Sequence, residues 1–266
     1  MDTPSVLYKY TNSENALRTL KNGLSYSRAS NYWEQDPCEF NFIAEKIKLV
    51  DLRLTLEAFS TREDKYNIIK NLIDNEDELQ ELCNELNSKD SIDRLIEDAR
   101  TAIVDRYYIC SLTSLYDDNA LWEKYANNHD GVIFSISVDA INKVNQGEDN
   151  FLKKVEYKDS LTTSSLLRLH FDLDDNKEII FSKMKKYEWA KEYRLLLNIG
   201  RVHSMEQKHL FYEPRKVIGQ PHFIHDMRFF RYLKSISIGR RCKKPLAKEI
   251  KAVIARTYPH VKIVEL

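Results

Sequence analysis

The chain has 266 residues, enough to bury a substantial core in one or two domains, and its 41 Lys and Arg balance 41 Asp and Glu, so composition asks for neither a nucleic-acid nor a membrane partner. Cys38, Cys83, Cys110 and Cys242 lie far apart with no C-x-x-C pair, which implies no zinc site or disulfide framework and fits a reducing cytoplasm. The start of the chain lacks a signal-peptide pattern, no apolar run is long enough to span a bilayer, and the absence of G-x-G-x-x-G and G-x-x-x-x-G-K-[ST] argues against Rossmann-type and P-loop nucleotide binding.

Val6–Tyr10 reads as a first strand. Thr11-Asn-Ser-Glu14 has the spacing of a capping box, and the helix behind it carries Ala16, Leu17 and Leu20 before stopping at Asn22-Gly23. Leu24–Ser27 is a short second strand. Asn31 to Phe40 is a loop with Trp33, Asp36-Pro37 and Glu39. From about 42 to 105 the pattern turns helical and charged, with stripes such as Leu49, Leu52, Leu56 and Leu79, Leu82, Leu86, and is expected to be a helical insertion in a single domain. Within it, Asp74 to Asp98 carries a net charge of −8, read as a solvated helix face or a docking surface for a partner protein.

Arg106–Leu112 and Gly131–Val138 are expected strands flanking a short helix. That helix sets Trp122, Tyr125, Ala126 and His129 at helical spacing, so the four are expected on one face, as a pocket wall beside a polar loop. Phe151 to Tyr157 alternates as a strand, Thr162 to Ser182 is expected to be helical, and Glu192 to Ile199 is the clearest strand, with Tyr193, Leu195 and Leu197 on one face and Glu192 and Arg194 on the other. Short strands at 217–220 and 235–239, a helix from Pro245 to Tyr258 and a strand at Val261–Val264 close the chain. Strands and helices mix without regular alternation, so the expected class is α+β. Arg201 to Arg256 carries a net +10 interleaved with aromatics (Phe211, Tyr212, Phe223, Phe229, Phe230, Tyr232), which would stack the bases of RNA or DNA or fill a core.

Five blocks occur in order: Tyr8-Lys9-Tyr10 with Asn22-Gly23-Leu24; Gln35-Asp36-Pro37-Cys38-Glu39; Trp122-x-x-Tyr125-Ala126-x-x-His129-x-Gly131; Trp189-x-x-Glu192-Tyr193-Arg194; and Ile236-x-Ile238-Gly239. Together they resemble the bacterial "domain of unknown function 2971" family, departing at Gln35 and Cys38. More distantly, the order of elements resembles the ADP-ribosyltransferase fold, a split α+β sheet that holds NAD in a cleft. That resemblance implies three catalytic positions. Lys9 takes the first, where His or Arg is usual; Ser111 with Thr113 takes the second; and Glu192 takes the third.

On this reading Glu192 would hydrogen-bond the nicotinamide ribose and stabilise an oxocarbenium-like transition state. Its bland alternative is a structural pair with Arg194. Tyr8, Tyr10, Trp33, Asp36, Trp122, Tyr125, His129 and Arg194 are the candidate NAD-binding residues. For the aromatics the alternative is core packing, for His129 the helix dipole, and for Asp36 and Glu39 turn chemistry. Arg240 and Arg241 suit phosphate binding or a solvated edge, and Cys110 a buried position rather than a nucleophile. The functional expectation is an NAD-dependent mono-ADP-ribosyltransferase, a toxin or phage-defence effector acting on nucleic acid or protein. The alternative is a non-catalytic nucleic-acid-binding or protein-interaction module of a defence or toxin–antitoxin system. No metal and no membrane are expected.

Overall fold

The computed structural model describes residues 4–29, 32, 39–40, 42–60, 66–144, 151–167, 173–198, 210–212, 223–226 and 228–266. The architecture is α+β, and the contacts divide it into two compact units. The first comprises residues 1–35, 106–157 and 185–266, the second residues 36–105 and 158–184. Among the described residues, no helix is long and apolar enough to cross a membrane.

The first unit is built on one large mixed sheet. Its strands are β1 (Val6–Asn12), β2 (Leu24–Arg28), β4 (Tyr107–Thr113), β5 (Gly131–Ser137), β6 (Phe151–Lys154), β10 (Glu192–Asn198), β11 (Leu210–Tyr212), β12 (Phe223–Asp226), β13 (Leu233–Ile238) and β14 (Lys262–Glu265). The path runs β11-β12-β2-β4-β1-β5-β13-β14, with β10 paired to β4 and β6. Every pairing is antiparallel except β13 with β14, which α10 (Lys244–Thr257) joins as the crossover a parallel pair requires. α1 (Ser13–Asn22) and α10 cover one face. Leu17 and Leu20 of α1 and Ile250 and Ile254 of α10 share a core with Leu7, Phe134 and Ile136 of the strands. The Tyr258 hydroxyl donates to the Leu20 carbonyl at 2.8 Å, tying the end of α10 to α1.

The sheet splits at β4. β10 occupies one edge of β4 over its whole length, from Glu192↔Thr113 to Asn198↔Tyr107. β2 and β1 therefore share the other edge. β2 pairs at Tyr108 and Ile109, and β1 only at Thr113. Between them, among the described residues, that edge has no strand partner. There Lys9 Nζ donates to Ser111 O at 3.0 Å, and at the adjoining β2 pair the Tyr32 hydroxyl donates to Ile109 O at 3.4 Å.

The second unit packs α2 (Leu49–Ser60), α3 (Tyr66–Asp74), α4 (Glu76–Leu86) and α5 (Lys89–Arg106) with the parallel pair β3 (Phe42–Glu45) and β8 (Thr162–Ser165). Its core joins Ile47, Leu52, Leu79 and Cys83 to flanking leucines, among them Leu167. The Asn87 side chain serves as an internal bracket, accepting from Ile47 N at 2.8 Å and donating to Ile47 O at 2.8 Å and Cys83 O at 2.9 Å. All ten acidic residues between Asp74 and Asp98 are exposed. The helical stretch expected over 42–105 thus falls in a unit that also takes in 158–184.

Several sequence expectations need correction. Thr162–Ser182 is not one helix: Thr162–Ser165 forms β8, and a helix (α8, Leu173–Ile180) follows only later, because the run Thr-Thr-Ser-Ser is poorly suited to a helix interior. The cap of α1 is Asn12 rather than Thr11, its side chain accepting from Asn15 N at 2.8 Å while Thr11 is still paired in β1. The expected strand at 217–220 lies outside the described residues. In the basic segment, Phe229 and Tyr232 are core residues and Arg228 is held by Asp226 at 2.9 Å. Arg231, Lys234, Arg240, Arg241, Lys244 and Lys248 remain exposed.

Candidate functional site

Opposite residues of paired strands point the same way, so register assigns each side chain to a face. Glu192 faces Thr113, Thr113 faces Tyr8, and Arg194 faces Ser111. Tyr193, Leu195 and Leu197 turn to the core shared with α1 and α10. Glu192, Arg194, Ser111, Thr113 and Tyr8 therefore share the sheet's other face, where polar groups collect at the split.

The centre of that face is a compact polar network. The Ser111 hydroxyl donates to Glu192 Oε1 at 2.8 Å and lies 3.2 Å from the Tyr32 hydroxyl. Arg194 Nε donates to the same Glu192 oxygen at 2.8 Å, from a residue with 0 % exposure, and its guanidinium sits 6.0 Å from the Tyr32 ring. Glu192 is itself buried, and its backbone N–H donates to the Tyr157 hydroxyl at 2.7 Å. Burial pushes the Tyr32 phenol well above its ordinary range, so it stays a neutral hydrogen-bonding group beside the carboxylate. A buried carboxylate holding both a guanidinium and a hydroxyl is fixed in orientation, as a group that must meet developing positive charge needs to be.

Of the three expected catalytic positions, Ser111 and Glu192 are brought into direct contact. Lys9 is placed differently. It pairs with core residue Phe134, on the opposite side of β1 from Tyr8 and Tyr10, and its ammonium reaches the Ser111 carbonyl through the split. Lys9 thus touches the backbone of Ser111, and Glu192 touches its hydroxyl. Thr113 Oγ1 donates to Ala190 O at 2.7 Å, anchoring the turn before β10. Tyr8 is half-buried on the Glu192 face, its ring 5.2 Å from that of Tyr116. Trp33 and Asp36 lie outside the described residues. Glu39 is buried and paired with Lys183 in the second unit.

The aromatic stripe is not a pocket wall. Helix α6 (Asn119–Tyr125) ends four residues before His129, and Asn127, Asn128 and His129 take positive φ of 48°, 53° and 67°. The chain thereby folds back so that His129 stacks on Trp122 with ring centroids 4.8 Å apart. Trp122 and Ala126 are fully buried, and Tyr10 meets Trp122 edge-on at 5.4 Å. Trp122 Nε1 donates to Asp117 at 2.7 Å, while the Tyr10 hydroxyl accepts from Asp118 N at 2.9 Å and donates to Leu115 O at 3.2 Å. Burial, the largest cause, raises the Tyr10 phenol to about 12. A buried ring with both faces packed offers nothing to NAD, so Tyr10, Trp122 and His129 serve packing rather than cofactor contact. Two glycines make the packing possible. A Cβ on Gly131 would lie 2.1 Å from Thr11 O, and one on Gly239 would lie 2.3 Å from His129 O.

His129 lies beyond the helix, so its partner is not the helix dipole. Its Nε2 is 3.2 Å from Arg240 Nη2, a pure donor, so the ring must accept there and stay neutral. Desolvation first, then the Arg240 and Arg241 charges, hold its pKa below the ordinary histidine value. Cys110 is core, its thiol pushed up by burial. Of the stripe, only Tyr125 is exposed.

Residues 121–214 match the model of a family described as "Protein of unknown function (DUF2971)". Over that span the chain is similar to the DUF2971 family. The matched DUF2971 region opens within α6 and takes in the Trp122 and Trp189 blocks with Glu192 and Arg194, two of the blocks that carry the resemblance in the sequence. No curated protein and no solved structure matches the chain.

Sequence reasoning does not single out Tyr32 or Tyr157 as site residues: Tyr32 lies in a stretch that reads as a loop, and Tyr157 reads only as the end of an alternating strand. It also misses Tyr187 and Lys124, which only the fold brings to Tyr125 and Trp189.

Proposed function

We propose that the chain is an NAD-dependent ADP-ribosyltransferase with Glu192 as its catalytic carboxylate. The observation that carries this reading is the 2.8 Å contact of Glu192 with Ser111 across β10 and β4, beside the split edge of β4. NAD would be a substrate. The bond between its ribose C1′ and the nicotinamide nitrogen breaks, the electron pair leaving with nicotinamide. The acceptor atom bonds to C1′ and gives up its proton. Glu192, fixed by Ser111 and Arg194, would sit at the ribose hydroxyls and balance the positive charge that develops on the ring. Tyr8, on the same face two strands away (about 10 Å), is the candidate to stack on a ring of NAD.

The test uses NAD labelled on its adenylate portion, offered with RNA, DNA and protein acceptors. Label transfer is expected from the wild type and lost in Glu192→Gln. Circular dichroism should report a variant that is folded but less stable, because Gln keeps an acceptor oxygen for Ser111 and Arg194 while the buried Arg194 charge loses its counter-charge. Full transfer by a folded Glu192→Gln would eliminate the assignment.

A further inference from the structure

The fold uses nearly every residue of the Trp122 and Trp189 blocks. Trp122, Ala126, His129 and Gly131 form the packed knot, and Glu192 and Arg194 the polar network. Two aromatics of these blocks stand exposed: Tyr125 at 46 % and Trp189 at 38 %.

They meet around one cation. Lys124 Nζ lies 5.2 Å from the Trp189 ring centroid, 5.5 Å from that of Tyr125 and 6.0 Å from that of Tyr187. Lys186 Nζ lies 4.9 Å from the Tyr187 ring. Residues 185–191 carry three lysines against one glutamate, and that glutamate, Glu188, is engaged by Lys191 at 3.0 Å. The segment is braced: Ala190 O accepts from Thr113, Lys191 O accepts from Ser114 N at 3.3 Å, and Lys191 N donates to Glu188 O at 3.1 Å. Large rings left in water, interleaved with lysines on a fixed turn, offer what single-stranded nucleic acid needs: faces on which bases stack, and ammonium groups for phosphates. Trp189 is three residues before Glu192, so their Cα atoms are at most about 11 Å apart.

We infer that Tyr125, Tyr187 and Trp189, with Lys124, Lys185 and Lys186, form a stacking platform for single-stranded nucleic acid that presents the acceptor to Glu192. Its role as acceptor site rests on the transferase reading; its binding does not. The test measures fluorescence anisotropy of short fluorescein-labelled single-stranded RNA and DNA, and of a duplex of the same sequence, with the full chain across a salt series. Trp189→Ala should weaken single-strand binding roughly 5- to 100-fold. Lys124→Gln should flatten the salt slope by about one phosphate contact. The duplex should bind more weakly than the single strands. NAD-induced thermal stabilisation should be unchanged in Trp189→Ala. Unaltered oligonucleotide affinity in a folded Trp189→Ala, Tyr125→Ala double variant would overturn the platform, as would loss of the NAD shift together with oligonucleotide binding. If platform variants lose oligonucleotide binding while Glu192→Gln transfers label normally, the acceptor role falls and the platform stands.

Discussion

Arg194 and Glu192 lie two residues apart on one strand, a separation that puts both on the same face and lets the guanidinium fold back onto the carboxylate at 2.8 Å. Both are buried, so the pair is worth little as net stability but much as a constraint: removing one partner strands the other charge out of water. Arg194→Ala is expected to destabilise the fold by about 3–5 kcal/mol, measured by urea unfolding. Ser111→Ala removes only a neutral donor and should cost about 1 kcal/mol. A loss in Arg194→Ala no larger than in Ser111→Ala would mean that the guanidinium is not what compensates Glu192. Glu192 itself was legible in the sequence, because it opens an alternating strand on its polar side. Tyr32, which meets the Ser111 hydroxyl beside it, was not, since a lone tyrosine at the start of a stretch read as a loop carries no periodicity to say where it points.

Elements meet closely where glycine permits it. Gly131 opens β5 against β1, and Gly239 follows β13 against the His129 turn, its N–H donating to Gly131 O at 2.9 Å. Either Cβ would collide with a backbone carbonyl, which cannot step aside as a flexible side chain can. Gly131→Ala is therefore expected to cost about 3 kcal/mol, the upper part of the overpacking range, and to lower the thermal midpoint. Calorimetry showing a wild-type midpoint would contradict the tight approach. The spacing Trp-x-x-Tyr-Ala-x-x-His-x-Gly suggested one helical face. The structure instead breaks the helix at Tyr125 and uses three left-handed residues, two of them asparagines, a residue type that tolerates positive φ. Asn127-Asn128 was the available signal, and helical spacing through His129 masked it.

For the molecule as a whole, one consequence of this packing is a pH dependence. His129 is held neutral in the fold by desolvation and by neighbouring arginines, so its folded pKa lies below the unfolded value of 6.5. Below pH 6.5 the unfolded chain takes up a proton that the folded chain resists. The contribution of His129 is therefore complete above that pH and is lost as pH falls from 6.5 through the folded value. Denaturant midpoints between pH 5 and 8 should drop on the acid side, and His129→Gln should flatten part of that drop. A slope unchanged by the substitution would assign the dependence to other groups.

The sequence by itself determined the class of the fold, the alternating strands and the amphipathic helices, because periodicity and capping are local and survive without a neighbour. It also separated the core face of β10 from its polar face. Only the tertiary structure decided that Lys9 reaches Ser111 from the far side of the sheet, that Trp122 is core while Trp189 is surface, and that residues 158–184 join the helical stretch in one unit. Each of these depends on which strand edge or helix face meets another far along the chain. Long-range pairing is set by the burial of the whole, and no local pattern encodes it.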